Sequence, residues 1–157
     1  MSSVAQVSQL LNHLSFVMTR QSDQVLQEQL GIGYSQYKIL KVLQLHPQLQ
    51  QRKIADALGQ TEASISRQIK LMIEQSMLVT RINPQNRREH ITVLTARGQR
   101  LADEATAILE RYHEPVVSAL SARQQKVMVE LLELMHAQSC RPDRYNICQQ
   151  TCHQSTK

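Results

Sequence analysis

Tryptophan is absent from this chain, phenylalanine occurs once, and there are only four glycines among 157 residues. A core with so few aromatic rings has to be aliphatic. No Gly-rich phosphate loop, H-E-x-x-H pair or G-x-S-x-G elbow occurs, so the chain carries none of these catalytic signatures; no enzymatic activity and no cofactor are expected. No long uncharged apolar run is present, which excludes a helical membrane span. The opening residues, MSSVAQVSQL, have no basic stretch ahead of an apolar block. A secretory signal is therefore not expected, and the chain reads as cytoplasmic, where thiols stay reduced. Cysteine is missing until Cys140, then appears as Cys140, Cys148 and Cys152. A chain of this length buries roughly two-thirds of its unfolded surface and needs no disulfide staples.

Charge is present and unevenly placed. The net charge is +5. Residues 47–100 hold nine Lys/Arg and four Asp/Glu, which is the whole excess, while the remainder holds nine of each sign and is neutral. A basic excess confined to one third of a chain is the footprint expected of a protein that binds a polyanion, although a solvated surface also carries charge.

Apolar residues recur at helical spacing from Val4 to Leu30, ending at Gly31-Ile32-Gly33. Further helices are predicted over 35–45, with Tyr37, Leu40, Val42 and Leu43 inward, and over 49–58, with Ile54, Ala57 and Leu58 inward. Gly59 breaks the chain before a fourth helix from Thr61 to about Gln75, striped by Ile65, Ile69, Met72 and Ile73. Two strand-like runs, Leu78–Ile82 and Ile91–Leu94, flank a polar, arginine-bearing tip, Asn83 to His90. Thr95 is a suitable N-cap for a fifth helix that Pro115 should kink or end. Ser121 to Gln124 forms a capping-box pattern opening a sixth helix through Val127, Leu131, Leu134 and Met135. The predicted class is mainly α with a small β-hairpin. The segments are an N-terminal helix (1–33), a helix-turn-helix with hairpin (34–100), C-terminal helices (101–139) and a polar cysteine-bearing tail (140–157).

Two strands are not a stable unit alone, so the hairpin needs an explanation from its context. A short helix, a tight turn at Gly59-Gln60 and a second helix form the order of a helix-turn-helix, whose second helix enters the DNA major groove. Opposite the Ile65/Ile69/Met72 stripe lie Ala63, Ser64, Arg67, Leu71 and Glu74, flanked by Ser66, Gln68 and Lys70. Small residues permit close approach, and Arg67 suits a guanine edge or a phosphate. An ordinary amphipathic helix with a solvated face has the same pattern. The hairpin favours the DNA reading: a hairpin following a recognition helix is a wing, and Arg87 and Arg88 at its tip suit the minor groove or its phosphates. The DNA-contacting candidates are Ser64, Ser66, Arg67, Gln68, Lys70, Arg87 and Arg88.

Ser64-Ile65-Ser66-Arg67, Met77-Leu78-Val79, Pro84-Gln85-Asn86-Arg87-Arg88 and Leu94-Thr95-Ala96-Arg97-Gly98, in this order and spacing, resemble the multiple antibiotic resistance regulator (MarR) family. Its pattern runs S-T-V-T-R, G-L-V-x-R, P-x-D-x-R and L-T-x-x-G. The resemblance covers roughly Tyr34 to Leu101. The chain departs from the pattern at Asn86, where the family has an Asp that braces the wing, at Ser76, where it has Gly, and at Thr80, where it has Arg. The resemblance implies a winged helix-turn-helix core flanked by long dimerisation helices. It also implies a homodimer that represses or activates transcription by binding double-stranded DNA at pseudo-palindromic operators. The apolar stripes of the first and sixth helices, which lack a partner in so small a winged unit, agree with a second subunit. A helical protein-interaction adaptor without DNA affinity is the contrasting reading.

The resemblance further implies a small-molecule inducer bound near the junction of the dimerisation and DNA-binding regions. His13, Phe16, Arg20, Tyr34 and Tyr37 are the candidates to line such a pocket, although the plainer reading, an ordinary core or surface group, is favoured for each. Cys140, Cys148 and Cys152 with His153 admit three readings: incidental residues of a polar tail, a thiol sensor, or a metal site completed by His136 or His153. The spacing is not a standard zinc pattern, and no confident metal ligand emerges.

Overall fold

The computed structural model describes residues 2–139, and the candidates Cys140, Cys148, Cys152 and His153 lie outside them. The described chain is six helices and one hairpin: α1 (Ser3–Leu30), α2 (Tyr34–Leu45), α3 (Gln51–Leu58), α4 (Glu62–Glu74), β1 (Leu78–Asn83), β2 (Asn86–Leu94), α5 (Ala96–Ser118) and α6 (Ala122–Ser139). None of these helices is long and apolar enough to cross a membrane.

The helix ends follow local chemistry. Ser2, Thr61 and Thr95 each accept a hydrogen bond from a first-turn N–H of the helix they precede. Ser121 and Gln124 cap α6 reciprocally: Ser121 N–H donates to Gln124 Oε1 at 2.9 Å, and Gln124 N–H donates to Ser121 Oγ at 3.4 Å. Gly31 and Gly59 end α1 and α3 in the left-handed conformation. Ser76 adopts the same conformation, φ 59°, between α4 and β1. A non-glycine residue is strained there, which accounts physically for the glycine of the family pattern at this place.

One aliphatic core gathers Leu26 of α1, Ile39, Leu40 and Leu43 of α2, Ile54 of α3, Ile65, Ile69 and Met72 of α4, Leu78 of β1, and Ala102 and Ala105 of α5. Burying an Ile, Leu or Met side chain stabilises by about 1.5–3 kcal/mol. A helix cap contributes about 1 kcal/mol. Packing of its three buried residues, more than its cap, therefore holds α4 in place.

Several expectations shift. Ile73 is exposed, so the α4 stripe is Ile65, Ile69 and Met72 alone. In α3 the buried residues are Ile54 and Ala55, with Ala57 and Leu58 only half-buried. Leu49 does not start α3; it pairs antiparallel with Thr92 as an isolated bridge, Thr92 N–H donating to Leu49 O at 2.7 Å, which ties the chain before α3 to the hairpin. Pro115 lies inside α5, which continues to Ser118. The hairpin is longer than its apolar pattern suggests, because the strands run out to Asn83 and Asn86 and leave Pro84-Gln85 as the turn.

The two flanking helices carry exposed apolar residues. Val4, Leu10, Leu14 and Phe16 are exposed along α1, as are Val127, Leu131, Leu134 and Met135 along α6, and no residue of α6 is buried.

Candidate nucleic-acid interface

Ser66, Arg67 and Lys70 lie exposed on α4, across from the stripe that anchors it. Ser64 is half-buried, with its N–H held by the Thr61 hydroxyl at 3.2 Å. Gln68 is turned toward the preceding turn, its Nε2 donating to Gln60 Oε1 at 3.2 Å, while its own Oε1 is buried with no partner among the described residues. Arg67 and Lys70 are thus the cations this helix presents to solvent.

The hairpin pairs in regular antiparallel register from Leu78↔Leu94 to Ile82↔His90 and then jumps to Asn83↔Asn86. Arg87, Arg88 and Glu89 therefore have no counterparts on β1; they form a bulge, which bends a strand and re-aims its side chains. Arg87 and Arg88 are both exposed, on the arm of β2 just beyond the turn rather than in a loose tip. Asn86, standing where the family pattern has the bracing Asp, accepts the Arg88 N–H at 3.2 Å. Bracing comes instead from Glu89. Its Oε2 accepts hydrogen bonds from Gln50 Nε2, at the start of α3, and from Asn83 Nδ2 of β1 at 3.2 Å. Neither Gln50 nor Glu89 stands out in the sequence, because the contact joins residues far apart in the chain.

The sequence pattern also passes over Arg52 and Lys53. Both are exposed on α3 and border crevices between that helix and the hairpin, Arg52 beside His90 and Lys53 beside Pro84. Their signal was the local charge excess rather than any motif.

The five pocket candidates do not share one cavity. Tyr37 lines a space of about 610 Å³ with Thr106, Glu110 and His113, between α2 and α5. The Tyr37 hydroxyl lies 3.2 Å from Thr106 Oγ1, and His113 Nε2 lies 3.0 Å from Ser22 Oγ of α1. His113 Nδ1 is buried with no partner among the described residues. Arg20 and Tyr34 border a different crevice with Asp23 and Lys38. Burial, and then the neighbouring Tyr37, push the Tyr34 hydroxyl above its usual pKa. His13 and Phe16 are exposed on α1, the Arg20 guanidinium standing 5.8 Å from the Phe16 ring centre.

A MarR family model matches residues 30–89, from the end of α1 to Glu89 of the wing. Among solved structures, the chain is 27% identical to MepR, a transcription regulator of the Staphylococcus aureus multidrug efflux pump MepA, over 83% of this chain and 96% of that one, with a TM-score of 0.68. It is likewise 27% identical to S. aureus MepR solved as a DNA complex, over 87% of this chain and 99% of that one, with a TM-score of 0.71. Apo MarR from E. coli, at 16% identity over 82% of this chain and 94% of that one, shares the fold with a TM-score of 0.74. A comparison with curated protein sequences gives no match. With its helix-turn-helix and the first part of its wing matched by the family model and most of its architecture repeated in these regulators, the chain is similar to the winged helix-turn-helix proteins of the MarR family.

Proposed function

We propose that this protein is a sequence-specific DNA-binding transcriptional regulator, not an enzyme. It acts in the cytoplasm as a homodimer on pseudo-palindromic operators, as a repressor that a small molecule releases. The carrying observation is the joint exposure of Arg67 and Lys70 on α4 and of Arg87 and Arg88 on the wing, within the one basic third of the chain. α4 reads base edges through Arg67, and the wing arginines anchor on phosphates or in the minor groove. The exposed apolar residues of α1 and α6 support the dimer: Val7, Leu11, Val127 and Leu131 border one apolar groove of about 430 Å³ between these helices, which a second copy would cover. The cavity holding Tyr37 and the unpartnered His113 Nδ1 supports the effector reading. It lies where α5 and Gln125 of α6 meet α2 of the winged unit, so a ligand there would bias the angle between the two regions.

Binding to duplex DNA measured against salt tests the reading. Affinity should fall linearly on a log–log plot, with a slope of about 0.9 per phosphate contact, and Arg87→Ala and Arg88→Ala should each flatten it by about that amount. Arg88, at the family's wing-arginine position, should matter more. A protein with no salt-dependent DNA affinity would be an adaptor instead.

A further inference from the structure

The wing bulge has a second anchor outside the hairpin. Its three unpaired residues are Arg87, Arg88 and Glu89. The side chains of the two arginines make no hydrogen bond among the described residues, whereas Glu89 is half-buried and engaged on both sides. One side is Asn83, the last residue of β1. The other is Gln50, which immediately precedes α3 and carries no capping bond of its own. Next to Gln50, Leu49 is hydrogen-bonded to Thr92 of β2. The root of the hairpin is thus fixed to the start of α3 by backbone bonds, and its outer arm by one carboxylate oxygen.

We propose that Glu89 is a positioning residue for DNA binding: by accepting from Gln50 and Asn83 at once, it fixes the bulge that carries Arg87 and Arg88 relative to the helix-turn-helix. The inference rests on the DNA-binding reading above. A carboxylate beside a DNA-facing arm is otherwise unfavourable, since it repels phosphate. Its presence makes physical sense here as the acceptor of two amide donors, and a charged acceptor makes the stronger bond. Without it, the bulge loses its tie to α3, and ordering the arm on binding offsets part of the energy of the arginine contacts. In this chain Glu89 takes over the bracing that Asn86 does not supply as an acid.

The test uses full-length protein and a duplex recovered with the wild type by selection from random-sequence DNA. Glu89→Ala is expected to lower affinity for that duplex by about tenfold, in the range for coupled neighbours, and to flatten the salt slope toward that of the Arg87→Ala/Arg88→Ala double variant. Gln50→Ala should reproduce part of the loss. Glu89→Gln, which keeps an accepting oxygen but removes the charge, should bind better than Glu89→Ala. The decisive readout is coupling: in the double arginine background, Glu89→Ala should add little further loss. An equal loss with and without the arginines would mean that Glu89 only supports the fold, and would overturn the proposal. So would Glu89→Ala binding as tightly as, or more tightly than, the wild type. If the wild type itself shows no salt-dependent duplex binding, the failure belongs to the DNA-binding reading and not to the role of Glu89.

Discussion

Gly98, in the first turn of α5, packs so closely on Met77 that a Cβ at this position would overlap the Met77 carbonyl oxygen. The contact closes a small junction. Thr95 accepts the Gly98 N–H at 3.0 Å, and its hydroxyl faces the carbonyls of Ser76 at 2.7 Å and Met77 at 3.0 Å. The turn leaving α4 and the turn entering α5 are thereby joined beneath the wing. The L-T-x-x-G pattern is the local record of that joint: threonine caps, and glycine admits a backbone.

Gly98→Ala should therefore destabilise the protein, because the clash is with backbone and not with a side chain that can swing away. Overpacking of this kind costs about 1–3 kcal/mol. A drop in Tm is expected in a thermal melt; an unchanged Tm would mean that α5 tolerates displacement from Met77.

Ser76→Gly should act in the opposite sense. The left-handed conformation costs an L-residue about 1–2 kcal/mol. Glycine's extra freedom in the unfolded chain returns about 0.5–1 kcal/mol of that gain. A net stabilisation of about 0.5–1 kcal/mol should appear as a Tm rise of about 1–4 °C. A fall in Tm would show that the serine is not strained there.

Leu131→Glu should dissociate the dimer while leaving the subunit helical. Leu131 is 55% exposed in the single chain, so its replacement removes no packing from the subunit's own core. Sedimentation equilibrium should shift from dimer to monomer at micromolar concentration, with the far-ultraviolet circular dichroism retained. A wild type that sediments as a monomer would contradict the homodimer outright.

Arg67→Ala should reduce discrimination more than bulk affinity. A bidentate base contact is worth about 1–3 kcal/mol, or about 5- to 150-fold in the ratio of selected to random duplex binding. If that ratio is unchanged, Arg67 touches only phosphate, and the base reading lies elsewhere on α4.

The elements and their caps were legible because they obey short-range rules. The Ile65, Ile69 and Met72 spacing places three side chains on one helical face, and Thr95 and Ser121 each reach an N–H within the next three residues. Arg67 on the exposed face of α4 follows from that same periodicity. The basic excess of residues 47–100 needs only counting.

What the sequence by itself determined, then, is what neighbours within a turn or a hairpin decide: six helices, one hairpin, their order and the side of α4 left to solvent. The tertiary structure decided the rest. It placed Leu49 in a bridge with Thr92, joined Glu89 to Gln50, set the Met77 carbonyl against Gly98, and put Tyr37 with His113 while leaving His13 and Phe16 elsewhere. The apolar pattern of β2 begins at Ile91, yet the strand begins at Asn86, because strand pairing is carried by backbone groups that every residue here possesses. Periodicity records which face of an element is buried, and it holds no information about which distant residue that face meets.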